Sequence, residues 1–175
     1  MTPATASESA TNGDVRPGLV VLVVEDDEAD AYLISRALAN QPAVGRVVRA
    51  SDGVEALRMV DDGEVTPDLA FIDLHMPRKN GFNLLAAFAC NKQRSFPMVV
   101  LTSSTAPTDA VRSRVRGAMR VVTKPDGVKA LEAVLASAIN AVCPRQAPTD
   151  RARPRSAELT PPRFNRNRSA VRGPA

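Results

Sequence analysis

Glu25 and Asp26 directly follow an apolar run, V-L-V-V at residues 21–24, and Asp27, Glu28 and Asp30 come next. Packing does not call for five carboxylates in six positions. Like charges repel, and burying one costs free energy unless a cation is near. Asp73 ends another apolar run, Thr102, Ser103 and Ser104 end a third, and Lys124 ends a fourth. Ligands that offer only oxygen suit a hard divalent ion. Magnesium typically takes one or two carboxylates plus substrate phosphate and keeps several waters. Zinc does not fit, because the chain has one histidine and its two cysteines lie elsewhere. A carboxylate beside such an ion can act as a nucleophile and become an aspartyl phosphate. The charge on the transferring phosphoryl group then needs the metal, a cation such as Lys124, and hydrogen-bond donors such as Thr102.

These residues must be brought together by the elements that carry them. Residues 19–24 are apolar throughout, as expected of a strand covered on both faces. Ala31, Ile34 and Leu38 repeat at helical spacing up to Gln41-Pro42, where proline stops a helix. A second strand is expected at residues 46–50, then a helix carrying Val54, Leu57, Met59 and Val60. A third strand at residues 68–73 precedes a helix marked by Phe82, Leu85, Ala86 and Ala89. A fourth strand at residues 97–102 precedes an arginine-bearing helix at residues 107–117. A fifth strand at residues 120–123 leads to a closing helix at residues 126–142, with Val128, Leu131, Val134, Leu135, Ala138 and Ile139 inward. Alternating short strands and helices predict a (βα)5 α/β fold: a doubly wound parallel sheet of five strands with helices on both faces. Right-handed crossovers leave few topologies, and five strands suit the flavodoxin-like order 2-1-3-4-5. Sites in such sheets form outside the carboxyl ends of the strands, which is where the acids, hydroxyls and lysine fall.

The bulk composition sets the limits. A chain of 175 residues accommodates one domain with a proper core. With no tryptophan and a single tyrosine, Tyr32, that core must be aliphatic. No apolar run approaches the ~18 residues of a membrane helix. Cys90 and Cys143 read as small packing residues in a reduced, cytoplasmic setting. The net charge of +4 is unevenly spread: eight arginines against two acids after residue 143 make that segment +6 and leave −2 for the rest. Residues 1–17 are expected to form a flexible leader, 18–143 the domain, and 144–175 a disordered basic tail rich in Pro and Arg.

Taken in order, V-V-E-D-D, F-I-D-L-H-M-P-R-K-N-G, V-V-L-T-S-S and V-V-T-K-P resemble the motifs of response-regulator receiver domains of two-component systems. The resemblance spans about residues 19–142. It implies that Asp73 is the phosphoacceptor, that Asp26 binds Mg2+ directly, and that Glu25 acts through a metal-bound water. It implies the backbone carbonyl of His75 as the third protein ligand, Thr102 as the switch hydroxyl, and Lys124 as the lysine that pairs with the phosphoryl group. Pro125 resembles a proline commonly preceded by a cis bond, which would aim Lys124 inward. Asp27, Glu28 and Asp30 are expected to begin the first helix, where acids favour the helix dipole. The His75 side chain is expected to face solvent.

The chain departs from the family at Val121, where receivers commonly carry Tyr or Phe. The expected consequence is a small or differently placed surface change, passing through the loop after strand four, with Ser103 and Ser104, or through Arg120.

The resemblance implies a phosphoaccepting signalling domain rather than an enzyme, although it would assist its own phosphorylation and dephosphorylation. The partner it implies is a sensor histidine kinase. The short layout, with E-D-D-E-A-D-A-Y-L-I and the serines after Thr102, resembles regulators that partner bacterial phytochromes. With no output domain expected after residue 142, the product would be a changed surface on the fourth helix, fifth strand and fifth helix. Arg112, Arg114 and Arg116, with Val111, Val115, Leu131 and Val134, are the candidates there for a homodimer or partner contact. The alternatives are a degenerate receiver acting as a scaffold, or a basic tail that contacts nucleic acid or an anionic surface. A plain disordered extension is the favoured reading of that tail.

Overall fold

The computed structural model describes residues 18–76, 80–91 and 95–144. The expected leader, and all of the expected tail after Pro144, lie outside the described residues. In chain order the elements are β1 (Leu19–Val24), α1 (Glu28–Ala39), β2 (Val44–Ala50), α2 (Gly53–Asp61) and β3 (Leu69–Ile72). They continue with α3 (Gly81–Cys90), β4 (Met98–Thr102), α4 (Pro107–Val115), β5 (Arg120–Thr123) and α5 (Val128–Val142). The five strands are parallel and lie in the order β2-β1-β3-β4-β5, as the sequence predicted.

Continuous apolar strands are possible because successive side chains point to opposite faces and both faces are covered. Leu19, Val21 and Val23 pack with Ile34 and Leu38 of α1 and Leu135 of α5. Leu22 and Val24 pack on the other face with Ala56 of α2 and Leu85 and Phe88 of α3. The same alternation splits Phe71 from Ile72 and Leu101 from Val100, and the buried Phe71 and Phe88 make the core partly aromatic rather than wholly aliphatic as expected. Each such fully buried large side chain contributes roughly 1.5–3 kcal/mol.

The helices begin where local chemistry satisfies their free N–H groups. The Asp27 carboxylate accepts from the Asp30 N–H at 2.9 Å. Asp52 accepts from Val54 N–H and Glu55 N–H, and Glu55 reaches back to the Ser51 N–H at 2.7 Å. Asn80 caps α3 through the Asn83 N–H. Helix α4 has Pro107 at its start and no side-chain cap.

Several boundaries and orientations differ from those predicted. β2 starts two residues earlier, at Val44, because Gly18 and Gly45 let the two backbones approach too closely for a Cβ on either. α4 ends at Val115, because Gly117 adopts φ +98 and turns the chain toward β5. α5 starts at Val128, and that valine is 45% exposed rather than inward. Val134 is only partly buried, and Val54 of α2 is exposed. Leu131, by contrast, is a core residue at 7% exposure and offers no partner contact.

Candidate functional site

Register brings the strand ends together. Val24 is paired with both Ala50 and Ile72, and Thr102 with Thr123. The next residue in each case is therefore Glu25 beside Asp73, and Lys124 beyond β5. Backbone bonds carry the pattern past the strands: Asp73 N–H to Val24 O at 3.0 Å, Glu25 N–H to Ala50 O at 3.0 Å, and Lys124 N–H to Thr102 O at 2.8 Å.

Glu25, Asp26 and Asp73 each place a carboxylate oxygen within 4.8 Å of the others. Glu25 and Asp73 are buried and Asp26 is half-buried. An all-oxygen set of this size fits a hard divalent ion, which would offset the mutual repulsion. The Asp73 carboxylate accepts from the His75 N–H at 2.7 Å. Lys124 donates to Glu25 at 2.7 Å and to Asp30 at 2.8 Å, and its Nζ lies 3.4 Å from Asp73 Oδ1.

These contacts set the proton affinities. Burial pushes the Glu25 carboxyl up to about 7, against the pull of Lys124 and with a further push from Asp73. Burial works to lower the Lys124 ammonium, but its hydrogen bonds to Asp30 and Glu25 and the charge of Asp73 outweigh it, so it is held above the usual lysine range. Lys124 therefore stays charged at neutral pH.

The sequence placed Glu25, Asp26, Asp73, Thr102 and Lys124 at one edge, and the geometry brings them there. Thr102 is buried, and its Oγ1 accepts from the Ser104 N–H at 3.2 Å. Of the two serines only Ser104 joins this network, donating to Asp109 Oδ2 at 2.6 Å, whereas Ser103 is exposed. The His75 side chain is 58% exposed, and its Nε2 lies 4.0 Å from Asp109. Val121 is half-buried against the α2–α3 side of the core. Pro125 requires a correction: no peptide bond is cis among the described residues, so Lys124–Pro125 is trans. Trans is the intrinsically favoured isomer, and the pairing with Glu25 and Asp30 directs the lysine inward without a cis bond. Arg112 lies over the Phe82 ring at 4.0 Å and Arg116 stands 5.8 Å from it, which ties the end of α4 to α3, while Arg112 and Arg114 remain exposed.

Three contributors were missed from the sequence. Asp30 is a helix-start acid as expected, but it also holds Lys124. Arg49, next to last in β2, donates to the carbonyls of Glu25 and Asp26 while pairing with Glu28 at 2.8 Å, so it braces the acidic loop. Its signal was available: in the order 2-1-3-4-5, the end of β2 adjoins the end of β1. Gly81 packs against the Asp73 backbone, a closeness no spacing rule reveals.

The model of the response regulator receiver domain family matches residues 21–136. The sensor histidine kinase CheAY of Helicobacter pylori is 28% identical over 120 residues, which make up 68% of this chain but 15% of that protein. Response regulator Rcp1 of Synechocystis is 30% identical over 103 residues, 55% of this chain and 70% of Rcp1. Its Mn2+-bound structure matches with a TM-score of 0.63 at 26% identity, covering 70% of this chain and 92% of that one. The phosphorylated cyanobacterial phytochrome response regulator RcpA matches with a TM-score of 0.66 at 28% identity, covering 71% and 94%. No described helix is long and apolar enough to cross a membrane.

Proposed function

Because the chain belongs to the response regulator receiver family, we propose that Asp73 accepts a phosphoryl group from a sensor histidine kinase in a reaction that needs Mg2+. The observation that carries this reading is the convergence of Glu25, Asp26 and Asp73 within 4.8 Å, with the Lys124 ammonium among them. An Asp73 carboxylate oxygen forms a bond to phosphorus, the bond from phosphorus to the donor imidazole nitrogen breaks, and that nitrogen keeps the electron pair. The acids and the His75 carbonyl would hold the ion, which supplies charge neutralisation for the phosphoryl oxygens. Lys124 pairs with one of those oxygens, and the Thr102 hydroxyl donates to another. The Mn2+-bound form of Rcp1 supports a divalent ion at this kind of site.

The unit that does this is residues 18–143. The output is a change at α4, β5 and α5, where Val111, Val115 and Met119 are exposed and available to a second copy or a partner protein. The likeness to the phytochrome response regulator RcpA supports a bacterial phytochrome as the kinase.

Incubation with acetyl phosphate and Mg2+, followed by intact mass, tests the central step. The expected result is a gain of one phosphoryl group that EDTA or Asp73→Asn abolishes. No gain, or a gain that Asp73→Asn leaves intact, would sink it.

A further inference from the structure

Lys124 is shared unevenly. An ammonium has three N–H donors. Two are taken by short bonds, to Glu25 at 2.7 Å and Asp30 at 2.8 Å, while Asp73 Oδ1 stands off at 3.4 Å. The lysine is thus drawn toward Glu25 and the first turn of α1, and away from the acid that would carry a phosphoryl group. Glu25 and Asp30 differ in their other options. Glu25 belongs to the cluster that fits a divalent ion, and a bound ion would engage its carboxylate. Asp30 lies outside that cluster, in the first turn of α1, so its claim on Lys124 persists when the metal binds. Exposure points the same way. The Asp30 side chain is 44% exposed against 15% for Lys124, so Asp30 holds the lysine from the solvent side.

We propose that Asp30 is a positioning residue that holds the Lys124 ammonium off Asp73 and competes for it with the phosphoryl group. The proposal rests on the reading of Asp73 as phosphoacceptor. A phosphoryl group on Asp73 takes a place in the lysine's donor set and weakens the bond to Asp30. Asp30 therefore opposes the phosphorylated state, and removing its charge strengthens the hold of Lys124 on the phosphoryl oxygens.

The test is calorimetric titration of the full chain with beryllofluoride, a phosphoryl mimic, at saturating Mg2+. Asp30→Asn should bind about 2- to 5-fold more tightly than wild type, the range expected of a partly exposed ion pair. Asp30→Ser should shift affinity in the same direction, and Asp30→Glu should restore wild-type affinity. Asp126→Asn removes the same charge from an exposed position two residues from Lys124, outside the acidic cluster, and should change affinity less than Asp30→Asn. A purely structural role would lower thermal stability without tightening binding. Unchanged or weaker binding in Asp30→Asn, or a change matched by Asp126→Asn, overturns the proposal. A wild-type chain that does not bind, or binding that survives Asp73→Asn, removes the phosphoacceptor reading and the proposal with it. Binding that Asp73→Asn abolishes but Asp30→Asn fails to tighten removes the proposal alone.

Discussion

Gly81 approaches Asp73 so closely that a Cβ on the glycine would overlap the Asp73 carbonyl oxygen. Helix α3 therefore starts hard against the end of β3, with the Gly81 N–H donating to Leu74 O at 3.1 Å. The obstacle is backbone, which cannot swing aside as a side chain can. Gly81→Ala should cost at least about 1–3 kcal/mol, the range for overpacking a tight site. Urea unfolding should show a lower midpoint with an unchanged slope. Because the shift displaces Asp73, acetyl phosphate labelling should slow as well. A variant of wild-type stability and labelling rate would contradict this role.

Glu25 gives a pH dependence with a definite sign. Its folded carboxyl titrates near 7, whereas an unfolded glutamate titrates near 4.5. The folded state holds that proton more tightly, so this group's contribution to stability is fullest below pH 4.5 and falls as pH rises to 7. The loss is at most about 3 kcal/mol. In EDTA, the stability of wild type minus that of Glu25→Gln should fall across pH 4.5–7.5. Mg2+ competes with the proton, so it should stabilise wild type more at pH 7.5 than at pH 5.5. A difference that stays flat with pH would rule out the burial effect.

The fold was legible because its signal is repeated: five apolar runs alternate with helical periods, and Val21, Phe71 and Val100 report burial on both sheet faces without ambiguity. The site was legible because the end of each strand can be read from the chain, which puts Glu25, Asp26, Asp73, Thr102 and Lys124 at one edge. Pairwise choices were not legible. Nothing in the spacing says that Lys124 bonds Glu25 and Asp30 more closely than Asp73, since that depends on side-chain reach across β1, α1 and β5. Nor could the chain show that Arg112 is occupied by Phe82. An arginine on a polar helix reads the same whether it faces solvent or a ring one helix away.

That stacking has a measurable worth. The Arg112 guanidinium lies 4.0 Å from the Phe82 ring, while Arg116 stands at 5.8 Å, near the outer limit for a cation over a ring. Arg112→Ala should cost about 0.5–1 kcal/mol in urea unfolding. Arg112→Lys should recover only part of it, because ammonium lacks the flat face. Arg114→Ala should be nearly neutral. Equal effects of the Arg112 and Arg114 substitutions would show that the stack contributes nothing beyond charge.

Val121 occupies the position where the family resemblance implies an aromatic ring, and it is half-buried against the core. No ring at that position can follow the Thr102 hydroxyl. Thr102 instead accepts from the Ser104 N–H, and Ser104 donates to Asp109 in the first turn of α4. The Ser104 hydroxyl also accepts from the Ala106 N–H at 3.3 Å, just before that helix, which has no other side-chain cap. Movement of the Thr102 hydroxyl toward a phosphoryl group breaks its bond from Ser104 and loosens the anchor of α4. Adding beryllofluoride with Mg2+ should therefore change amide exchange mainly at residues 103–110, and little at residues 118–125. Ser104→Ala should raise exchange in the first turn of α4 before any mimic is added, and so shrink the further change. A response centred on residues 118–125 would mean that β5 carries the signal despite the missing ring.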